Sequence, residues 1–176
     1  MTDITFVIGG CRSGKSSHAL RLAESTPAER RIFVATCVPH DDEMRSRVAN
    51  HQGDRGEGWE LLEVPEALGQ TISAHSRPGT LLLIDCLTLW ASNLLLADDD
   101  PKSINRPLDE LISALKGAAG PVILVSNEVG TGIVPENRLA RLYRDMVGKV
   151  NQTVAACADR VILTVAGIPV TIKGNE

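Results

Sequence analysis

Gly9-Gly10-Cys11-Arg12-Ser13-Gly14-Lys15-Ser16 fits the pattern G-x-x-x-x-G-K-[ST]. Each residue type in that spacing has a task in holding phosphate. Glycines let backbone N–H groups wrap phosphate oxygens, and a helix beginning at Lys15 adds the positive end of its dipole. Lys15 is placed to bridge the β and γ phosphates, and the Ser16 hydroxyl to ligate Mg²⁺. Asp85 closes the run Thr80-Leu81-Leu82-Leu83-Ile84-Asp85, the strongest buried-strand signal in the chain. An acid at the carboxyl end of such a strand can hold the same Mg²⁺ through water, because ligands gather there. A helix cap, or a buried acid paired with Lys15, is the structural alternative. These residues imply a nucleoside triphosphate with Mg²⁺, which kinases, switches, motors and synthetases all use. Guanine-specific switches carry an Asn-Lys-x-Asp motif. Ser126-Asn127-Glu128-Val129 stands where one would be sought, which disfavours that class.

Histidine and cysteine are the other reactive types. His51 follows Met44 and Val48 at offsets of 7 and 3, on one side of a helix that would start at the acidic run Asp41-Asp42-Glu43. On position alone it reads as a surface or capping residue. His18, His40 and His75 form no metal-ligand spacing with it. Cys11, Cys37, Cys86 and Cys157 are dispersed, without a Cys-x-x-Cys pair. That pattern predicts reduced, mostly buried thiols in a cytosolic protein rather than a disulfide frame. Cys11, inside the phosphate loop, reads as either a partly reactive thiol or an inert small side chain.

Short apolar runs alternating with helical patterns must position these groups. Strands are expected at 4–8, 31–36, 59–64, 80–85, 122–126, 161–165 and 170–172, the last two joined by a turn at Gly167-Ile168-Pro169. Helices are expected at 15–24, from Asp41, at 65–74, through the stripe Leu108, Leu111, Ile112 and Leu115, and at 136–158 with Leu139, Leu142, Tyr143, Met146, Val150 and Val154 inward. Residues 98–107 read as a long polar loop. Strands apolar on both faces imply a mainly parallel sheet covered by helices. The expected fold is α/β, of the three-layer P-loop NTPase type, with a short antiparallel C-terminal strand. The chain has 176 residues, which predicts a single nucleotide-binding domain over 1–176. It has 18 basic against 22 acidic side chains and a net charge of −4, which argues against a general nucleic-acid binder. The apolar stretch 81–97 is interrupted by Asp85, Thr88, Ser92 and Asn93 and reads as buried strand then helix, not a membrane span. No signal-peptide shape is present at the N-terminus.

Four segments together carry a resemblance. They are Gly9 to Ser16; Asp42-Glu43-Met44 with Arg47, His51, Arg55 and Trp59; Leu83 to Trp90 with Asn93-Leu94-Leu95; and Asn127-Glu128-Val129-Gly130-x-Gly132-Ile133-Val134-Pro135-Glu136-Asn137-Arg138. In this order, spanning Ile8 to Lys173, the chain resembles the bifunctional adenosylcobinamide kinase / adenosylcobinamide-phosphate guanylyltransferases of cobalamin biosynthesis. The resemblance implies two reactions: phosphorylation of the aminopropanol hydroxyl of adenosylcobinamide, then transfer of GMP from GTP, through a guanylyl-histidine, to the resulting phosphate. The matching acceptor is His51; this chain has Asn50-His51 where some relatives have two adjacent histidines. A simple P-loop small-molecule kinase without a histidine adduct is the alternative, and a nucleotide-binding regulatory module a further one.

The resemblance also implies GTP contacts at Ala35, Thr36 and Cys37, at Gln52, Gly53, Asp54 and Arg55, at Glu63 and at Asp85. Glu63 could accept from guanine N1–H and N2–H₂, or be a solvated strand-end acid. Glu128, Asn137 and Arg138 could face the corrinoid or phosphate, or a subunit; a structural turn with Glu136 capping the next helix is the competing reading. ATP and GTP are the implied nucleotide substrates with Mg²⁺, a corrinoid is the partner, and a cytoplasmic homo-oligomer, a trimer, is the implied assembly.

Overall fold

The computed structural model describes residues 3–38, 56, 58–98, 100 and 102–174. The helix expected from Asp41, together with His51, Gln52, Gly53, Asp54 and Arg55, lies outside the described residues. The described elements run β1 (Ile4–Gly9), α1 (Lys15–Ser25), β2 (Arg30–Ala35), β3 (Trp59–Glu63), α2 (Leu68–His75), β4 (Thr80–Asp85), α3 (Leu87–Ala97), α4 (Asn105–Lys116), β5 (Val122–Asn127), α5 (Arg138–Cys157), β6 (Arg160–Val165) and β7 (Ile168–Lys173).

The strands form one sheet in the order β3-β2-β4-β5-β1-β6-β7. Every pairing is parallel except β6 with β7. The α/β fold with an antiparallel C-terminal strand is therefore as expected. The central strands are buried on both faces because they are apolar at successive positions, as the fully buried β1 shows, whereas the edge strands β3 and β7 are largely exposed. On one face Val7, Phe33, Leu81, Leu83, Ile123 and Val125 pack against Ala19 and Ala23 of α1. Those two alanines, one helical turn apart, bring α1 close to the sheet. On the other face Phe6, Ile8, Ile32, Val34, Leu82, Ile84 and Leu124 meet α2, α3, α4 and α5 through Leu68, Ile72, Trp90, Leu111, Val150 and Val154. The alternation of side chains along each strand thus decides which residues look toward α1.

Several boundaries differ from the sequence reading. α4 begins at Asn105, so Pro107 lies in its first turn, where a missing N–H costs no helical hydrogen bond. α2 begins at Leu68 rather than at Pro65. β7 begins at Ile168, and the turn is Ala166-Gly167, with φ of 51° and 81°. Ile168 and Pro169 belong to the strand; proline is tolerated because β7 is an edge. α5 begins at Arg138, and Leu139 is 44% exposed rather than inward. All four cysteines are free, but only Cys86 is buried; Cys37 and Cys157 are half-buried and Cys11 is exposed, so the expectation of mostly buried thiols fails. Among the described residues no helix is long and apolar enough to cross a membrane.

Candidate nucleotide site

The phosphate loop leaves the carboxyl end of β1 and feeds directly into α1. Gly14 at the helix entry has φ 89°, and Arg12 has φ 54°, so the loop doubles back on itself. Ser13 N–H donates to the Gly10 carbonyl at 3.2 Å, which closes the turn. Lys15 Nζ donates to the same carbonyl at 3.3 Å and so lies folded over the loop. Cys11 and Arg12 are exposed at the rim. Ser16 follows Lys15 in the first turn of α1.

The loop rests on the β6–β7 hairpin, a support the sequence reading missed. Ser13 Oγ and Thr164 Oγ1 hydrogen-bond at 2.9 Å, and Thr164 Oγ1 also donates to the Ile8 carbonyl at 3.3 Å. Gly167 N–H donates to the Ser13 carbonyl at 2.9 Å. Gly14 approaches the same turn: a Cβ there would lie 3.2 Å from Gly167 Cα. Thr164 is a buried hydroxyl among the apolar residues that follow Arg160 in β6. Such a hydroxyl must be paired, and that was the available signal.

Asp85 ends β4, and its neighbourhood is fixed by Thr36. The Thr36 hydroxyl donates to the Cys86 carbonyl at 2.7 Å and accepts from Cys86 N–H at 2.9 Å. Thr36 N–H donates to the Asp85 carbonyl at 3.4 Å. Asn93 of α3 then donates to the Thr36 carbonyl at 2.8 Å and to the Pro65 carbonyl at 3.0 Å. One row of paired residues crosses the carboxyl ends: Glu63 beside Ala35, Ala35 beside Asp85, Asp85 beside Val125. Glu63 itself is exposed.

Charges converge on this edge. Burial pushes the Cys86 thiol up to about 11, with the Asp85 carboxylate adding to the rise and Lys15 opposing it. Burial, then Asp85, also raises the Cys37 thiol. Asp85 and Lys15 therefore both lie close enough to Cys86 to act on its thiol. Of the sequence-selected residues, the structure brings together Gly9 to Ser16, Ala35, Thr36, Cys37, Glu63 and Asp85 at the carboxyl ends of adjoining strands.

The donor set suits Mg²⁺, which takes hard oxygen ligands and is held by one or two protein groups plus phosphate and water. The Ser16 hydroxyl and the Asp85 carboxylate are such donors. Among the described residues no group of three or more His, Cys, Asp or Glu could hold a metal without that help.

The segment 128–137 leaves β5 beside the loop: Glu128 N–H donates to the Gly9 carbonyl at 3.0 Å. Glu128 Oε1 accepts from Gly130 N–H at 2.5 Å, and Arg144 of α5 donates to the Gly130 carbonyl. Arg141 holds the Pro135 and Glu136 carbonyls at 3.0 and 2.5 Å. The cap of α5 is Asn137, whose Oδ1 accepts from Ala140 N–H at 3.1 Å, and not Glu136. Asn137 is the better cap because its short side chain reaches back to the third helical N–H.

Solved structures share this fold. An ATPase of the type III secretion system of pathogenic bacteria superposes with a TM-score of 0.64 at 12% identity, over 96% of this chain and 56% of that one. The assembled ATPase EscN of enteropathogenic E. coli gives 0.60 at 13% identity, over 94% of this chain and 43% of that one. At such identities the likeness concerns the fold alone. Sequence relatives are nearer. The chain is 43% identical over 172 residues to the bifunctional adenosylcobalamin biosynthesis protein CobP of Pseudomonas aeruginosa, covering 96% of each. It is 42% identical over 179 residues to the bifunctional adenosylcobalamin biosynthesis protein CobU of Salmonella typhimurium, covering 95% of this chain and 98% of that one. The family described as cobinamide kinase / cobinamide phosphate guanyltransferase matches residues 5–172. With a phosphate loop, a strand-end acid and full-length relatives in agreement, the chain belongs to this family of bifunctional transferases.

Proposed function

We propose that the chain phosphorylates adenosylcobinamide with a nucleoside triphosphate, ATP or GTP, and then moves GMP from GTP, through His51, to adenosylcobinamide phosphate, giving adenosylcobinamide-GDP. The observation that supports this best is the loop folded under Lys15 and braced by Thr164 and Gly167, beside Asp85. A braced loop of backbone N–H groups with one ammonium folded over it suits phosphoryl transfer, where positioning and charge neutralisation do most of the work.

In the first step the aminopropanol hydroxyl oxygen bonds to the γ-phosphorus and the nucleoside diphosphate leaves. In the second, a His51 ring nitrogen bonds to the α-phosphorus of GTP and pyrophosphate leaves with the bridging electron pair. A phosphate oxygen of adenosylcobinamide phosphate then displaces the imidazole. Neutral imidazole can attack when its other nitrogen is held by a hydrogen bond. Lys15 and Arg12 would neutralise charge developing on the phosphates. Mg²⁺, held by Ser16 and Asp85, would supply Lewis acidity toward the phosphate oxygens. Ala35, Thr36, Cys37, Gln52, Gly53, Asp54, Arg55 and Glu63 are proposed to surround the nucleotide, with Glu63 reading the guanine edge. The chain 1–176 acts as one domain in a cytoplasmic homotrimer, so light scattering should give three times the 18.9 kDa chain mass.

The test uses GTP labelled at the α-phosphate with Mg²⁺, followed by denaturation and gel separation. Acid-labile, alkali-stable label is expected on wild type and Lys15 is expected to be required for it. His51→Ala should carry none. A folded, GTP-binding wild type that takes no label would remove the guanylyl-transfer half and leave a kinase.

A further inference from the structure

We propose that Asn127 is a substrate-contacting residue of the kinase step, its side-chain amide orienting the attacking hydroxyl against the terminal phosphorus of the nucleotide. The inference rests on the kinase half of the proposed function.

Asn127 is the last residue of β5 and pairs with Gly9, the first glycine of the phosphate loop. β5 lies between the loop-bearing β1 and the Asp85-bearing β4. Direction follows from strand alternation. Ile123 and Val125 face the α1 side, as do Leu81 and Leu83 of β4. Two residues on from each, Asn127 and Asp85 therefore point to that same side, where α1 begins with Lys15 and Ser16. Ser126, of opposite parity, points the other way and donates to Asn151 of α5 at 2.7 Å.

The Asn127 backbone is anchored at this edge, while its side-chain oxygen is left unsatisfied. Asn151 Nδ2 donates to the Asn127 backbone carbonyl at 3.0 Å, so one buried amide on α5 ties down both Ser126 and Asn127. Yet Asn127 Oδ1 is buried with no hydrogen-bond partner among the described residues. A buried acceptor left without a donor carries the desolvation penalty of the group with nothing to offset it. Such an atom in a folded protein calls for an explanation, and a catalytic role at a ligand edge is one. An acceptor oxygen needs a donor, and the oxygens of an ionised triphosphate offer none. A hydroxyl does. The aminopropanol alcohol of the cobinamide is the donor that must come to this edge if it is to reach the γ-phosphorus.

In the reaction the alcohol oxygen forms its bond to phosphorus, the bond to the bridging oxygen breaks, and the nucleoside diphosphate leaves with that electron pair. The alcohol proton passes to solvent. The neutral amide takes no proton; Oδ1 aligns the hydroxyl and Nδ2–H₂ can meet a phosphoryl oxygen, a role worth its effect through orientation.

The experiment measures γ-phosphate transfer to adenosylcobinamide and α-phosphate self-labelling, side by side, for wild type, Asn127→Ala and Asn127→Ser. Asn127→Ala should lower kcat for γ-transfer by roughly 10–100-fold, while the KM for nucleotide and the α-labelling rate stay within about threefold. Asn127→Ser, which keeps a small acceptor, should recover part of the kcat and decides the matter if the alanine variant does not fold. Variants that transfer the γ-phosphate within threefold of wild type would overturn the inference alone. So would parallel losses in both reactions together with nucleotide binding, the mark of a merely structural role. A wild type that transfers no γ-phosphate to adenosylcobinamide would overturn the kinase reading and this inference with it.

Discussion

Gly9 shows how little room the phosphate loop leaves. A Cβ there would lie 2.4 Å from Thr164 Oγ1 and 2.5 Å from both Ser13 Oγ and the Thr164 backbone oxygen. The backbone atom cannot move aside, so the loop must. Gly9→Ala should destabilise the fold by about 1–3 kcal/mol by overpacking and weaken Mg-GTP binding, read by urea unfolding and by calorimetric titration. Cys86 makes a second prediction. Its folded pKa of about 11 stands above the ordinary thiol value of 9.0, so the folded state holds its proton longer than the unfolded chain. The stabilisation is complete below pH 9 and is lost as pH rises toward 11. At 1.36 kcal/mol per unit this amounts to about 2–3 kcal/mol. Tyr143, raised to about 12 by burial and then by Cys86, acts in the same direction at higher pH. Urea midpoints at pH 8 and pH 10.5 should fall less in Cys86→Ala than in wild type; an equal fall would refute the assignment.

Among the elements, α5 does most to hold the site edge. Asn137 starts it, Arg141 and Arg144 hold the carbonyls of the segment 128–137, and Asn151 anchors the end of β5. Asn137→Ala should cost about 1 kcal/mol and Asn137→Gly only a few tenths, because the cap hydrogen bond is lost in both but glycine adopts the cap conformation freely. Equal losses for the two, measured by chemical denaturation, would show that something other than capping is at stake. The β6–β7 hairpin is the other decisive element. Its turn residues Ala166 and Gly167 both take positive φ, which presents Gly167 N–H to the Ser13 carbonyl.

At the scale of the molecule, the sheet order places the loop-bearing β1 one strand away from the Asp85-bearing β4, with β5 between. A ligand that binds across three strand ends stabilises the folded state as a whole. At one hundred times its dissociation constant Mg-GTP should add about 2.7 kcal/mol. For a chain of this size that raises the melting temperature by roughly 5–10 °C. Lys15→Ala, which removes the ammonium now on the Gly10 carbonyl, should abolish the shift at the same GTP concentration in differential scanning fluorimetry. A retained shift would place the nucleotide somewhere other than the loop.

The sequence by itself determined the phosphate loop, the strand-end acid and the alternation of strands and helices. Each is written locally: glycine and lysine spacing, and apolar runs of strand length, act over a few residues. The same locality explains the parallel sheet, since strands apolar on both faces must be covered twice. What only the tertiary structure decided is which distant residues meet. Thr164 under Ser13, Thr36 against the backbone of Cys86, and Asn151 behind Asn127 are separated by 151, 50 and 24 positions. No short-range pattern encodes such pairings, because a buried polar atom is satisfied by whatever the fold brings beside it. The starts of α4 at Asn105, α5 at Arg138 and β7 at Ile168 differ from the sequence reading for a related reason. A first-turn proline, a choice between two neighbouring caps and an edge-strand proline are each resolved by packing, not by propensity.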